Sequence, residues 1–313
     1  MTEVRVHSSS NPFVAAIVVT YNRLELLKEG IVALQKQTYN HLQIIVVNNG
    51  STDGTTDWLA TQSDVLTLTQ DNVGGAGGFF TGMKYAAEHD FDFVWIMDDD
   101  VIPRPDALEE LIHAYFAKPD IGFVCSQVVG LDDKPMNIPE VDPRVTHDGS
   151  SAFYDLATQG MIKVSKATFV SLLIAGSTLR EFGLPIKEYF IWGDDTEFTL
   201  RISSHRDSYL VTSSVVLHKR SLQTAVTFLT ETNPTRLGFY FYMYRNSDHT
   251  NWPAMTWKHK TAWAFNRTFN LIALLLRGDF HRFRILLRAT FALAHFQPEI
   301  QFPHPQKTDH AKV

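Results

Sequence analysis

The sequence predicts an α/β fold in which a Rossmann-like, mostly parallel sheet has helices on both faces. Short apolar runs at 13–20, 42–49 and 91–97 are rich in β-branched residues, and helical spacing follows each of them. Because the runs are apolar at consecutive positions, they are typical of strands buried on both faces of a parallel sheet. Right-handed crossovers between such strands favour the doubly wound arrangement.

The elements that connect and follow these strands can be predicted in chain order. Pro105 lies after the third strand, where it suits the first turn of a helix. Residues 130–165 are polar, contain three prolines and predict a loop or lid, and residues 169–175 predict a further apolar strand. The helix after the first strand is predicted by apolar residues at helical spacing, which are Leu24, Leu27, Ile31 and Leu34.

Composition restricts the class of protein. The chain has 313 residues, of which 44% are hydrophobic, so it can fill a large core, and a disordered or fibrous chain is excluded. Its net charge of −6 and its lone Cys125 indicate neither a nucleic-acid partner nor a disulfide scaffold. Residues 1–12 lack the apolar stretch of a secretory signal, and the strongest apolar run, 271–276, is far short of the roughly 20 residues that span a bilayer. A cytoplasmic protein without a spanning helix is expected.

The C-terminal residues 233–313 are aromatic and basic, unlike the rest of the chain. Over residues 258–313, nine Lys or Arg stand against three Asp or Glu. This pattern is typical of a helix that lies on an anionic membrane surface, here the inner face of the cell membrane, or against a partner. The alternative is an ordinary core-packed helix with a solvated basic face. The predicted apolar face consists of Phe280, Phe283, Leu287 and Phe291, with Arg277, Arg282, Arg284 and Arg288 interleaved.

Three consecutive aspartates, Asp98, Asp99 and Asp100, follow the third strand, at the carboxyl edge where ligands bind in such sheets. So much negative charge in one crevice is costly unless a cation compensates it, and carboxylate oxygens favour Mg²⁺ or Mn²⁺. Such an ion could hold a diphosphate and neutralise the charge that develops on it as a leaving group. The alternative is a solvated acidic loop that caps the next helix.

Two further segments and one histidine carry candidate functional groups. Residues 72–82, NVGGAGGFFTG, could bring backbone amides close to an anion or a sugar, but a tight loop is the simpler interpretation. The segment WGDDTEF places Asp194, Asp195 and Glu197 at the start of a helical pattern, where one carboxylate could take a proton from a sugar hydroxyl or merely cap the helix. His218 ends an apolar run, either as a metal ligand or as a satisfied core residue.

Six segments together resemble inverting glycosyltransferases of family 2, which have the GT-A fold. In chain order they are VVTYNR, VVNNGSTDG, NVGGAGGF, WIMDDD, YFIWGDDTEF and VVLHKR, and the resemblance covers about residues 13–250. Within the family, NVGGAGGF, MDDD and WGDD make the chain most similar to bacterial galactofuranosyltransferases. Rhamnosyltransferases, which share segments like YMYRN at 242–246, are the next most similar.

The resemblance implies a role for each matching residue. Asp98 and Asp99 would meet the ribose and diphosphate of a nucleotide sugar, while Asp98, Asp100 and His218 would ligate Mn²⁺ or Mg²⁺. Asp195 would be the catalytic base. The nucleotide pocket would be lined by Thr20, Asn22, Arg23, Asn48, Asn72 and Gly77. The acceptor site would be shaped by Trp192, Asp194 and Glu197.

Two positions depart from the pattern of the family. Many members carry an aspartate where this chain has Asn48, and most carry a glutamate where it has Asp194. The first departure leaves the identity of the donor base open, and the second leaves open which of Asp194 and Asp195 is the base.

The resemblance also implies a reaction and its partners. The expected reaction is an inverting transfer of galactofuranose from UDP-galactofuranose to a glycan or polyprenyl-linked glycan in bacterial surface polysaccharide synthesis. A rhamnosyltransferase that uses dTDP-rhamnose is the main alternative. A nucleotidyltransferase would need a Gly-rich, basic signature that the N-terminal segment lacks, and a non-catalytic nucleotide-sugar binder would not need both acidic clusters. An oligomer is compatible with these features.

The predicted domain organisation is a catalytic GT-A domain at 1–232, followed by a helical region at 233–313. Within the first, the nucleotide-sugar half covers about 13–125 and the acceptor half about 150–232.

Overall fold

The computed structural model describes residues 11–89, 91–220 and 226–304. The outer limits of the two predicted domains, residues 1 and 313, lie outside the described residues. Within them, 11 strands form one sheet. The first half alternates strands and helices: β1 (Val14–Thr20), α1 (Leu24–Gln35), β2 (Leu42–Asn48), α2 (Thr55–Leu59), β3 (Val65–Thr69), α3 (Gly74–Glu88) and β4 (Phe93–Asp98). Strands β3, β2, β1 and β4 are adjacent in that order and parallel. The predicted α/β fold is confirmed.

The second half extends the sheet with strands of both directions. Its elements are β5 (Val101–Pro103), α4 (Ala107–Tyr115), β6 (Val124–Val129), β7 (Pro135–Met136), β8 (Glu140–Val141), β9 (Met161–Lys166), β10 (Leu172–Ala175), α5 (Gly176–Phe182), α6 (Asp194–Ser203) and β11 (Tyr209–His218). The order continues from β4 as β10, β6, β11, β9 and β8. Strand β10 is antiparallel to both of its neighbours, whereas β6 and β11 are parallel to each other and run in the direction of β1 to β4.

The core lies on both faces of the sheet, as the apolar strands predict. In β1, Ala15, Ile17 and Val19 contribute to the cluster beneath α3. The alternate residues Val14, Ala16 and Val18 contribute to the cluster on the other face, with α1 and α4. Every residue of β1 is buried.

Three local predictions differ from the structure. The predicted loop at 130–165 contains β7, β8 and most of β9, because its few apolar residues pair at the edge of the sheet. The predicted strand at 169–175 is paired only from Leu172, and α4 begins two residues after Pro105.

The Gly-rich segment forms most of helix α3 and not the predicted tight loop. A Cβ on Gly78 would collide with Val19, and one on Gly82 would lie 2.6 Å from Ile17 Cγ2. The glycines therefore let the helix approach the sheet closely. Burial of α3 on β1 and β2 outweighs the cost of about 1 kcal/mol that each helical glycine carries.

Three helices follow the sheet: α7 (Pro234–Asn251), α8 (Trp257–Leu276) and α9 (Phe280–Ala292). They share an apolar cluster that includes Tyr240, Leu274 and Leu286. The chain then returns to the segment between α5 and α6, where Leu184 N donates to Gln301 O at 2.8 Å. The boundary at 232/233 stays a prediction, and the contacts of α7 described below cross it.

The buried face of α9 is not the predicted one. Ile285 and Leu286 belong to the cluster and Ala289 is also buried. Of the predicted residues, Phe283 packs partly against the cluster, whereas Phe280 and Phe291 are exposed. The predicted stripe is rotated away from this face because α9 packs on both α7 and α8. Arg282 is also turned inward, where it donates to the carbonyls of residues 228 and 231.

Candidate active site

The parallel strands place the first acidic cluster beside the end of β1. In the register of the sheet, Thr20 is opposite Asn48, and Val19 is opposite Asp98. The ends of β1, β2 and β4 therefore form one continuous edge, which is where a doubly wound sheet binds ligands.

A short antiparallel pairing brings His218 to the same edge. Strand β5 turns back beside the end of β11, with Val101 opposite His218. Lys219 N also donates to Asp100 O at 2.8 Å. Residues separated by more than a hundred positions in the chain thus become neighbours.

Hydrogen bonds hold the aspartates in place. The hydroxyl of Thr20 donates to Asp99 Oδ2 at 2.8 Å. Arg23 Nη1 donates to Asp99 Oδ1 at 3.2 Å and to Asp100 Oδ2 at 2.8 Å. Asp99 and Asp100 are buried, whereas half of the Arg23 side chain is exposed. Arg23 is therefore placed to contact an anionic ligand and the aspartates at once.

Asp98, Asp100 and His218 form a group that fits a divalent cation. One ligand atom from each lies within 4.8 Å of the others. His218 Nε2 is 3.1 Å from Asp100 Oδ1, yet that oxygen is buried without a hydrogen-bond partner. The second ring nitrogen, Nδ1, lies 3.0 Å from Asn137 Oδ1, which fixes the orientation of the imidazole. Two carboxylates and one imidazole form a donor set suited to Mn²⁺ or Mg²⁺.

Burial and the neighbouring negative charges raise the pKa of two of the three aspartates. Burial, followed by the charge of Asp100, raises the pKa of Asp98 to about 7. Burial raises the pKa of Asp99 to about 6 against the opposing effect of Arg23. Burial acts on Asp100 too, but His218 and Arg23 outweigh it and hold its pKa below the usual range. A divalent cation would favour the charged form of all three.

The other residues predicted for the nucleotide pocket mostly organise loops. Asn22 Oδ1 accepts from Thr52 N at 2.6 Å, and Asn48 is buried with both polar atoms bonded, to Thr56 and Ser51. Asn72 Oδ1 accepts from Gly74 N at 3.0 Å. Their role in ligand binding stays a prediction.

A glycine and an asparagine lie near this edge and act in different ways. Gly77 is buried inside α3, within one turn of its start. The sequence reading overlooked Asn49, which is buried and donates to Gly74 O at 3.0 Å, so it ties the end of β2 to the start of α3.

The second acidic cluster follows an irregular loop that contacts α3. Phe190, Trp192 and Gly193 all have positive φ angles, of 66°, 62° and 92°. Phe190 O accepts from Ala76 N at 3.1 Å, and a Cβ on Gly74 would collide with the same carbonyl. Glycine at 74 is thus required for this contact. Because α3 begins at the carboxyl edge of the sheet, the loop brings the second cluster to the edge that carries the first.

Asn246 of α7 holds this loop, and the sequence prediction missed it. The side chain is fully buried, and its Nδ2 lies 3.0 Å from Tyr189 O, 3.2 Å from Ile191 O and 2.8 Å from Trp192 O. Its Oδ1 accepts from Arg245 Nε at 3.0 Å. Non-glycine residues with positive φ cost about 1–3 kcal/mol each, so the loop needs such support. The YMYRN segment marks this asparagine in the sequence, but the neighbouring residues do not indicate which groups it contacts.

Asp194 and Asp195 differ in their surroundings. Burial, followed by the charge of Asp195, raises the pKa of Asp194 to about 8. Burial also raises the pKa of Asp195, whose Oδ1 accepts from Thr196 N at 2.6 Å and lies 3.2 Å from the Thr196 hydroxyl. Asp194 is buried and Asp195 is half-buried, so Asp195 is the more accessible carboxylate.

The remaining predicted acceptor residues have structural contacts. Both carboxylate oxygens of Glu197 bind Arg201, at 2.7 and 3.0 Å. Trp192 packs edge-to-face against Phe239 and Tyr240 of α7 and is half-buried. Their contact with an acceptor stays a prediction.

Asn246→Asp is expected to lower kcat by about ten- to hundred-fold. A carboxylate cannot donate hydrogen bonds to the three loop carbonyls, and each buried group left unpaired costs about 1–3 kcal/mol. Steady-state kinetics should show kcat falling more than the KM for the donor rises. Asn266→Asp, on the exposed surface of α8, is the matched control. A fall in melting temperature with kcat unchanged would mean that Asn246 supports the fold and not the catalytic loop.

The sheet, with an acidic cluster at its carboxyl edge, has the fold of GT-A glycosyltransferases. The chain is similar in fold to a mannosyltransferase, PcManGT from Pyrobaculum calidifontis in complex with GDP-Man and Mn²⁺, with a TM-score of 0.52, 18% identity and coverage of 91% of this chain and 87% of that one. It is also similar to GalNAc-T7 with UDP, GalNAc and Mn²⁺, with a TM-score of 0.55, 13% identity and coverage of 79% and 52%.

Sequence comparison relates the chain to one family of glycosyltransferases. The model of glycosyl transferase family 2 matches residues 15–162. Galactofuranosyltransferase GlfT1 of Mycobacterium tuberculosis is 30% identical over 195 residues, which are 60% of this chain and 64% of the relative. The chain therefore spans somewhat less than two thirds of this relative's length. Over these residues the chain is similar to members of glycosyl transferase family 2.

Proposed function

We propose that the protein is an inverting, metal-dependent galactofuranosyltransferase that uses UDP-galactofuranose. The proposal is supported by the Asp98–Asp100–His218 group at the carboxyl edge of the sheet and by the contact of the loop before Asp194 with the start of α3 at that edge. The similarity to a galactofuranosyltransferase supports the choice of donor. The Mn²⁺ in the two structures of similar fold supports a metal ion.

In the proposed reaction, Asp195 accepts the proton of an acceptor hydroxyl as its oxygen forms a bond to the anomeric carbon. The bond from that carbon to the diphosphate breaks, its electron pair goes to the phosphate oxygen, and UDP leaves from the opposite face. Arg23 binds the diphosphate and keeps Asp99 and Asp100 in position. Asp98, Asp100 and His218 would hold the cation, and a bound divalent cation supplies charge neutralisation at the diphosphate.

A panel of sugar nucleotides tests the donor. The purified protein should hydrolyse UDP-galactofuranose slowly in the presence of Mn²⁺, and chelator should stop this reaction. UDP-galactopyranose and dTDP-rhamnose are the comparison donors. A response to dTDP-rhamnose alone would make the protein a rhamnosyltransferase, the second candidate, which the YMYRN segment favours.

We further propose that the acceptor is a glycan linked to a polyprenyl carrier and that α8 holds the enzyme at the inner face of the membrane. Among the described helices, none is both long and apolar enough to cross a bilayer. Helix α8 instead exposes an apolar stripe whose side chains recur at helical spacing. The side chains are 51 to 83% exposed and belong to Phe265, Phe269, Ile272 and Leu276. Basic residues lie at both ends of this stripe, as expected for contact with anionic lipid.

The double variant Phe269→Asp/Leu276→Asp should bind vesicles that contain phosphatidylglycerol about ten-fold or more weakly, since burying one such side chain contributes about 1.5–3 kcal/mol. Co-sedimentation measures the effect. Leu131→Asp, at an exposed turn outside the C-terminal helices, is the control. Unchanged sedimentation of the double variant would exclude α8 as the membrane-binding surface.

A further inference from the structure

A cavity of about 190 Å³ lies between the start of α6 and the last turns of α7. One wall comes from the loop before α6 and the other from the helix that holds this loop. The lining residues that matter here are Trp192, Gly193, Thr196, Met243, Ser247 and Asn251. Because Asn246 fixes the backbone of Trp192, the two walls are held together before any ligand binds.

The cavity is next to the candidate base. Gly193 and Thr196 flank the two aspartates, and the Thr196 hydroxyl is 3.2 Å from Asp195 Oδ1. The cavity therefore lies beside the first turn of α6, which carries the proposed base.

The walls combine the two surfaces that a sugar ring requires. The half-buried indole of Trp192 offers an aromatic face, and Met243 extends the apolar surface. Ser247 and Asn251 offer hydroxyl and carboxamide groups, and Asn251 is oriented by its hydrogen bond to Ser247 O at 2.7 Å. The volume is below the roughly 300–1,000 Å³ of pockets that take drug-sized ligands, so it suits one ring and not an oligosaccharide.

We propose that this cavity binds the terminal sugar of the acceptor, with the ring on Trp192 and its hydroxyl groups at Ser247 and Asn251. The inference rests on the proposed glycosyl transfer and adds that α7 forms part of the acceptor site. Ser247 and Asn251 then determine which sugar is accepted, although they lie outside the predicted catalytic domain.

The test fills the cavity with Ser247→Trp and uses octyl glycosides of galactofuranose, galactopyranose and rhamnose as acceptors. The ratio of transfer to hydrolysis of UDP-galactofuranose should fall about ten-fold or more, because the acceptor is excluded while water still reaches the donor. Ser247→Thr should have a smaller effect. Thr235→Trp, at the exposed start of α7 and away from the cavity, is the control.

Binding of the same glycosides, measured by ligand-observed NMR with UDP present, separates this inference from the proposed function. Wild-type protein should bind at least one glycoside, and Ser247→Trp should bind it about ten-fold or more weakly. Equal binding by the two proteins, or no wild-type binding to any of the three, would overturn the acceptor site. Glycoside binding without hydrolysis of any sugar nucleotide would contradict the proposed function but keep the sugar site.

Discussion

Asp195→Asn should lower turnover by about 100- to 10,000-fold, the range that general-base catalysis contributes. The amide preserves the shape of the side chain and its position beside Thr196, but it cannot take the proton of the acceptor hydroxyl. Binding of UDP should change little, because the proposed nucleotide site lies at the ends of β1, β2 and β4. Transfer kinetics, together with titration of UDP by calorimetry, measure the two effects separately.

Two further variants make this result specific. Asp194→Asn tests the neighbouring carboxylate, and Asp64→Asn, exposed at the opposite edge of the sheet, is the charge control. We expect a smaller loss for Asp194, because its buried carboxyl has a pKa of about 8 and is mostly protonated at neutral pH. Near-normal turnover in Asp195→Asn with a large loss in Asp194→Asn would reverse the assignment of the base.

The pH dependence of kcat gives an independent check on the base. Burial raises the pKa of Asp195 above 3.8, and a base acts only when it is deprotonated. Turnover should therefore rise with pH, and the acid limb should lie above the range of a free aspartic acid. An acid limb near pH 3.8 would contradict Asp195 as the base.

Asp100→Asn should lower turnover at a fixed Mn²⁺ concentration by about 100-fold or more, since metal charge stabilisation contributes several kcal/mol. The amide removes one anionic ligand from the group that includes Asp98 and His218. Binding of Mn²⁺, followed by electron paramagnetic resonance in the absence of substrate, should weaken as well. This second readout does not depend on the reaction.

The histidine of the metal group has its own matched pair of variants. His218→Gln should weaken Mn²⁺ binding, whereas His113→Gln, exposed on α4, should not. If Asp100→Asn and His218→Gln both bind Mn²⁺ as wild type does, the ion binds elsewhere and the assignment of this group is wrong.

The sheet and the first acidic cluster could be predicted because local pattern determines them. Each strand of the first half is a continuous apolar run, and the polar residues that end such runs meet at one edge when the strands are parallel. This reasoning places the ends of β1 and β4 side by side, and the register confirms it, with Val19 opposite Asp98.

Features that depend on long-range contacts could not be predicted in this way. The helical state of the Gly-rich segment follows from close packing on Val19 and Ile17, which its own sequence does not reveal. The role of Asn246 depends on carbonyl groups more than fifty residues earlier in the chain. The buried face of α9 is set by its two partner helices, so periodicity alone does not determine it.

The contacts of α7 have a practical consequence for protein engineering. Chimaeras of two enzymes with this fold could combine the sheet domain of one parent with the C-terminal helices of the other. A chimaera joined at residue 232 would pair the loop of one parent with a foreign asparagine and arginine. A junction in the short segment 252–256, between α7 and α8, would keep Asn246 with its own loop and exchange the last two helices and the segment that follows them.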